Sequence, residues 1–229
     1  MPNHFDTFTV PHTGNFIAVC GGGGASGFRG QSSPYRGGGG GGGAVASKLF
    51  SEVGGDNLTL LIPDPGTHDV FENGSDALYA FARPLHCTAA GGKTPQFFGP
   101  IGFGGAAVDC VGDVIIPGQD GEGPVPDFTI GPGHRGGASG DGTPGGSGGP
   151  TNGLTGGQDG ISPGGGGGGG GSTIVAFNQH SACSGGYVIV YDANDWPTYP
   201  AGRPTASPIA VFGTPPQPSP KARKVAFVM

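Results

Sequence analysis

The chain has 229 residues, 54 of them glycine and 23 proline, and a net charge of −6. Hydrophobic residues make up 34% and charged residues 11%, so any core built from side chains is small, and one domain with a tail is expected rather than two. The acidic, glycine-rich composition argues against nucleic-acid binding, and no apolar run of about 18 residues is present to cross a membrane as a helix.

The charge is unevenly divided. All 16 acidic residues precede Trp196, with six Lys or Arg, a charge of −10; residues 196–229 hold Arg203, Lys221, Arg223 and Lys224 and no acid, a charge of +4. The opening MPNHFDTFTVP lacks the basic-then-apolar pattern of a signal peptide. The chain is expected to stay in the cytoplasm that makes it, or to leave as part of a larger particle. Cys20, Cys87, Cys110 and Cys183 are far apart. Two disulfides could form in any of three pairings; without a secretion signal, free thiols acting as small apolar residues are favoured.

In chain order, residues 8–11 (FTVP) and 16–20 (FIAVC) read as two short strands, the second running into glycines 21–24. A polar loop over 25–36 contains Phe28 and Tyr35, and glycines 37–43 follow. Residues 44–53 suit either a short helix or a strand. Residues 58–62 (LTLLI) form a strand ended by Pro63-Asp64-Pro65-Gly66, a strong turn signal. Further strands are expected at 77–82, 108–111, 113–116, 128–130, 173–177 and 187–191. Short strands between Gly/Pro turns make the chain all-β. From Trp196 onward eight prolines in 34 residues predict an extended arm, in which 209–212 and 225–229 are apolar enough to add a strand to another sheet.

Residues 131–171 hold 22 glycines in 41 residues and no aromatic side chain. From Gly133 the chain reads GHR GGA SGD GTP GGS GGP, with glycine or Ser139 opening each triplet. A period of three belongs to extended left-handed helices of the polyproline II or polyglycine II type. Without Cβ atoms such helices can approach closely and pair main-chain groups. Residues 133–150 would span about 56 Å if straight, against a radius of gyration of about 17 Å for a compact domain of this length, so the stretch is expected to break or turn.

Several motifs are weak matches to known chemistry. Gly22-x-Gly24-x-x-Gly27 follows a strand as a dinucleotide fingerprint does, but Gly30 and Pro34 spoil the helix it requires. Gly92-Lys93-Thr94 resembles the end of a phosphate-binding loop, yet Cys87 stands at its first glycine and Pro95 follows. His86–Cys87 and His180 with Cys183 lack the two close ligand pairs of a structural zinc site. Asp120, Glu122 and Asp127 lie in a Gly/Pro loop without a calcium-binding pattern. No nucleophile elbow or other catalytic signature is present, so no enzyme, metal or cofactor is expected. The loop carrying Phe28, Arg29, Tyr35 and Arg36 is richest in the aromatic and Arg side chains that dominate binding hot spots, and is the candidate contact surface.

The order of these motifs resembles the glycine-rich domains common in bacteriophage tail proteins. The strand pair leading into glycines 21–24, the strand and turn at 60–66, the segment 75–92 ending CTAAGG, and the closing strand at 185–191 (GGYVIVY) carry the resemblance, which covers about residues 7–192. The Pro-rich tail and the sparser glycines over 44–130 depart from it. The resemblance implies a small β-sandwich carrying bundled polyglycine II-type helices over residues 1–195, followed by a basic extended arm over 196–229. It also implies a structural virion protein, assembled in the host cytoplasm, in a tail fibre or tail tip that helps attach to the host surface. The arm, with Trp196, Ile209, Val211, Phe212, Arg223, Lys224 and Phe227, would hold other virion proteins. A host glycan or outer-membrane protein would be the outer partner, and a homo-oligomer or several copies per particle are expected, with no nucleic acid and no membrane insertion. The alternative is a capsid decoration or head-fibre protein without receptor binding. Ice binding is disfavoured, because the third triplet positions are Arg135, Ala138, Asp141, Pro144, Ser147 and Pro150 rather than a regular Thr or Ala array.

Overall fold

The computed structural model describes residues 3–28, 36–64, 80–83, 87–95, 101–123, 130–151, 157–169, 171, 181–182 and 184–213. Among them the strands are β1 (Asn3–Thr9), β2 (Gly14–Gly21), β3 (Val45–Glu52), β4 (Asn57–Pro63), β5 (Ala80–Arg83), β6 (Cys87–Ala89), β7 (Val114–Ile116), β8 (Tyr187–Asp192) and β9 (Ala210–Gly213). They form two antiparallel sheets, ordered β1-β4-β5-β6 and β7-β3-β2-β8-β9. The only helices among the described residues are the single 3-10 turns Ala107–Asp109 and Ala193–Asp195. The chain is all-β.

Period-two alternation selects the core. Phe16, Ala18 and Cys20 of β2, Ala46 and Phe50 of β3, and Val188 and Val190 of β8 point to one face of the second sheet. They join Phe8 and Val10 with Leu58, Leu60 and Ile62 of β4 and Cys87 and Ala89 of β6 in a single buried cluster. Burying each of the larger side chains is worth about 1.5–3 kcal/mol. The region 44–53, open between helix and strand in the sequence, is β3; its partners in register run from Gly14↔Glu52 to Gly21↔Val45.

The other face of the second sheet is partly covered by the start of the tail. Ile17 points there and is fully buried; its register partner on β8 is Tyr191. Trp196 meets Tyr191 edge-on at 5.6 Å and Tyr199 at 5.4 Å, and its indole Nε1 donates to the Ala201 carbonyl at 3.0 Å. Tyr199 reaches Ser47 Oγ at 3.1 Å and donates to Asp113 Oδ2 at 3.3 Å. Burial, partly offset by the Ser47 bond, pushes the Tyr199 phenol up to about 12. Asp113 also accepts from Lys48 Nζ at 2.7 Å and from the Leu49 amide at 2.8 Å. Burial alone would raise its carboxyl, but Lys48 and the amide outweigh it and the pKa is lowered.

The segment expected to add a strand to another sheet adds one to the chain's own. β9 pairs with β8 from Tyr187↔Gly213 to Val190↔Ala210, and Phe212 packs on the core beside Phe8 at 6.4 Å. Residues 196–213 are thus tied to the body's sheet, because Trp196 and Phe212 bury apolar surface on its two faces. Residues 214–229, with Arg223, Lys224 and Phe227, lie outside the described residues, as do 173–177. The strand expected over 108–111 is instead the turn Ala107–Asp109 followed by a single bridge between Val111 and Thr88. Val108 is 88% exposed, and among the described residues no neighbouring strand takes up its backbone.

Candidate functional site: a glycine lattice and its rim

The run 37–43 has no side chains to bury, yet it is buried throughout. Its amides donate to three segments. Gly39 and Gly42 donate to Glu122 and Gln119, Gly40 and Gly43 to Gly167 and Gly164, and Gly41 to Lys93, followed by Ala44 to Ala90. Its carbonyls accept from three others. Phe28 and Ala25 donate to Gly38 and Gly41; His134, Gly137 and Gly140 donate to Gly37, Gly40 and Gly43; Gly105 donates to Gly42. The distances run from 2.7 Å for Gly43 to 3.2 Å for His134. Each neighbour is met every third residue, so successive residues face different segments, unlike a strand with two partners. A Cβ on Gly39, Gly40, Gly41, Gly42 or Gly43 would come closer than 3.0 Å to a neighbouring carbonyl oxygen. The glycines are required because backbone occupies the space a side chain would need.

The triplet region follows the same rule. Gly133, Gly136 and Ser139 donate to Gly149, Gly146 and Thr143 at 2.8, 2.9 and 2.9 Å. The chain therefore reverses between 139 and 143, which is how it avoids a 56 Å excursion. Gly142 sits in that reversal at φ +86°, a conformation that side-chain-bearing residues rarely adopt. Asp141 closes the turn: it accepts from Ser139 Oγ, from the Thr143 amide at 2.9 Å and from the Tyr187 hydroxyl at 3.2 Å. Burial first, then the Asp141 charge, hold the Tyr187 phenol well above its ordinary value. Where glycine gives way to serine, hydroxyls continue the lattice. Ser184 Oγ accepts from Gly24 at 3.0 Å and donates to Gly165 at 2.7 Å, and Ser181 Oγ accepts from Gly27 at 2.8 Å.

The dinucleotide-like glycines belong to this packing. Cβ atoms on Gly22, Gly24 and Gly27 would strike the carbonyl oxygens of Ala90, Gly165 and Gly168, and the segment 22–28 continues as lattice, not helix. The acidic residues 120 and 122 do not converge on an ion: Asp120 Oδ1 accepts from the Gly104 amide at 2.8 Å, and Glu122 Oε2 from the Arg135 amide at 3.4 Å. Asp127, His86, His180 and Cys183 lie outside the described residues. Among the described residues no group of three His, Cys, Asp or Glu side chains is placed to hold a metal, and no helix is long and apolar enough to cross a membrane.

Phe28 and Arg36 bracket the candidate contact loop, whose residues 29–35, with Arg29 and Tyr35, lie outside the described residues. Phe28 is 7% exposed, an anchor within the lattice. Arg36 Nη1 donates to the Pro132 carbonyl at 3.3 Å and lies beside Gly131. Of the tail positions, Trp196 is buried in the clasp, while Ile209 and Val211 are exposed on the edge of the second sheet.

Two features have no local signature in the sequence. Cys20 and Cys87 come from different sheets and meet in the core; Cys87 Sγ donates to the carbonyl of Ala46, the register partner of Cys20, at 3.3 Å. Hydrogen bonding to Cys87 and burial raise the Cys20 thiol well above its ordinary pKa. Cys110, half-buried, is raised by burial against the opposing Ala90 amide bond. Cys20, Cys87 and Cys110 are free thiols. The second feature is a groove of about 360 Å³ on the outside of the lattice, lined by Lys93, Phe103, Ala106, Pro117, Asp120 and the glycines between them. The chain matches no protein-family model, and no curated protein matches it in sequence.

Proposed function

We propose that this chain is a non-enzymatic virion protein of a tailed bacteriophage, a tail-fibre or tail-tip component that helps attach the particle to the host surface. In this reading the two sheets form a small β-sandwich, and the glycine-rich segments are polyglycine II-type helices bundled around the run 37–43. The observation that carries it is the enclosure of that run by backbone on all sides, three segments receiving its amide hydrogens and three supplying hydrogens to its carbonyls. Such packing gives a stiff body without a large side-chain core and leaves side chains for the rim. The resemblance of the strand and glycine order to glycine-rich phage tail domains supports the same reading.

The role is display. The lattice holds Phe28 and Arg36, the two ends of the candidate contact loop, and residues 214–229 join the protein to its particle. Gold labelling of intact particles with an antibody against residues 1–195 tests the placement: label at the tail tip or fibre is expected, and label spread over the head would replace attachment with capsid decoration. Removing residues 214–229, which leaves the β9 pairing and the Trp196 clasp in place, should give a folded protein that no longer enters particles. Normal incorporation of that truncated chain would sink the arm's role.

A further inference from the structure

The groove outside the lattice has the character of a built site. Its walls come from three of the segments around the run 37–43 and are tied together. The Lys93 amide donates to the Phe103 carbonyl at 2.7 Å, Gly118 to Gly105 at 3.1 Å, and Gly104 to Asp120 Oδ1 at 2.8 Å. Behind them, Gly41 donates to Lys93 and Gly105 to Gly42. The walls of the groove are therefore fixed by hydrogen bonds within the chain.

Phe103 stands between glycines that cannot carry side chains: a Cβ on Gly102, Gly104 or Gly105 would meet the carbonyl oxygens of Gly39, Gly118 or Ala90 closer than 3.0 Å. No side chain on those three glycines covers the ring, and Phe103 is 43% exposed. Lys93 is exposed, and among the described residues no carboxylate pairs with its ammonium. Asp120 has one oxygen engaged by Gly104 and, among the described residues, no donor on the other. The backbone amides of Lys93, Gly104, Gly105 and Gly118 are all used within the structure.

We propose that this groove binds an acidic pyranose unit of a surface polysaccharide, a hexuronic acid. The Phe103 ring takes the apolar face of the sugar, Lys93 pairs with its carboxylate, and Asp120 accepts from its hydroxyls. The volume suits one or two sugar rings. The assignment deepens the attachment reading and rests on it for its biological setting, not for its chemistry.

The test is a titration of the full chain, followed by backbone amide NMR, with a disaccharide containing glucuronate or galacturonate and with lactose as the neutral control. Saturable shifts at the amides of Gly104 and Gly118 are expected with a uronate disaccharide, with lactose at least about tenfold weaker. Lys93→Gln should bring the two within about twofold of each other, and Phe103→Ala should remove saturable binding while the rest of the amide spectrum is unchanged. Absence of saturable shifts with either uronate, or an undiminished preference in Lys93→Gln, overturns the proposal. Particle labelling separates the two ideas: uronate binding by a protein absent from particles would end the attachment reading and leave the groove. Attachment that survives Lys93→Gln with Phe103→Ala would show that the groove is not the receptor site.

Discussion

Gly41 lies so close to the carbonyl oxygen of Phe103 that a Cβ on Gly41 would come within 3.0 Å of it, with no flexible side chain to yield. The obstacle is backbone held by its own hydrogen bonds, so relief requires separating whole segments. Gly41→Ala is expected to destabilise the protein by more than about 3 kcal/mol, beyond the usual range for a single methyl group. Ser147→Ala, at an exposed position of the same lattice, should stay within about 0.5 kcal/mol. Chemical denaturation of both variants measures the difference; equal effects would mean that the glycines are not selected by contact.

The thiols give a second expectation. Alkylation requires the thiolate, and Cys20 is buried with its pKa raised by Cys87 and by burial. Native protein treated with iodoacetamide at pH 9 should leave Cys20 unmodified, while denatured protein loses it rapidly. The raised folded pKa also fixes the direction of linkage. The contribution to stability is complete below the unfolded thiol value of about 8.5 and is lost as pH rises through the folded value. Peptide mapping after timed alkylation reads the first effect, and thermal melts above pH 9 the second.

Asp113 works in the opposite direction. Its folded pKa is lowered by Lys48 and the Leu49 amide despite burial, so its contribution is present above the unfolded value of about 3.9 and fades as pH falls through the folded one. The pair with Lys48 is about a third exposed, and solvent screening holds its worth below about 1 kcal/mol. Asp113→Asn should lower the melting temperature slightly at pH 7, and the gap from wild type should close below pH 3. A gap that persists in acid would assign the effect to packing of the Tyr199 clasp instead.

Thr88 carries a buried hydroxyl with no hydrogen-bond partner among the described residues. Its backbone is already engaged with Val111, 2.9 Å in both directions, so only the side chain is unsatisfied. An orphaned buried hydroxyl costs about 1–3 kcal/mol, and Val has nearly the same shape. Thr88→Val should therefore raise stability by about 1 kcal/mol. A loss in denaturant titrations would show that the hydroxyl has a partner.

The sequence makes the strands legible and leaves their arrangement less so. Alternation in FIAVC and YVIVY identifies β2 and β8 because one face of each is buried and the side chains record it. β6 is short and its residues are all buried, so Cys87-Thr88-Ala89 carries no alternation to read. The length of 133–150 against the size of a compact domain anticipates a break or turn, and the chain reverses at Gly142. Which glycine run neighbours which is not written in the chain: backbone-to-backbone pairing is the same for every glycine, so Gly40 meeting Gly167 leaves no trace in residue identity. The clasp is hidden for a different reason. Eight prolines suggest an extended arm that adds a strand to another sheet, and only the contact of Trp196 with Tyr191 and the pairing of β9 with β8 show that its first half is part of the chain's own sheet.

The enclosed run 37–43 also bears on how such a protein can change over generations. The hydrogen bonds of the run itself are made by atoms common to every residue, and only a few side chains, such as Ser181, Ser184 and Asp120, tie the segments around it. Loops joined to the lattice can drift in sequence, lengthen or be exchanged without repacking an interior, provided the glycines facing carbonyls are kept. In the segments around the run, sites of tolerated and forbidden substitution should then alternate with the lattice period, and the outer surface can diversify at little risk to folding.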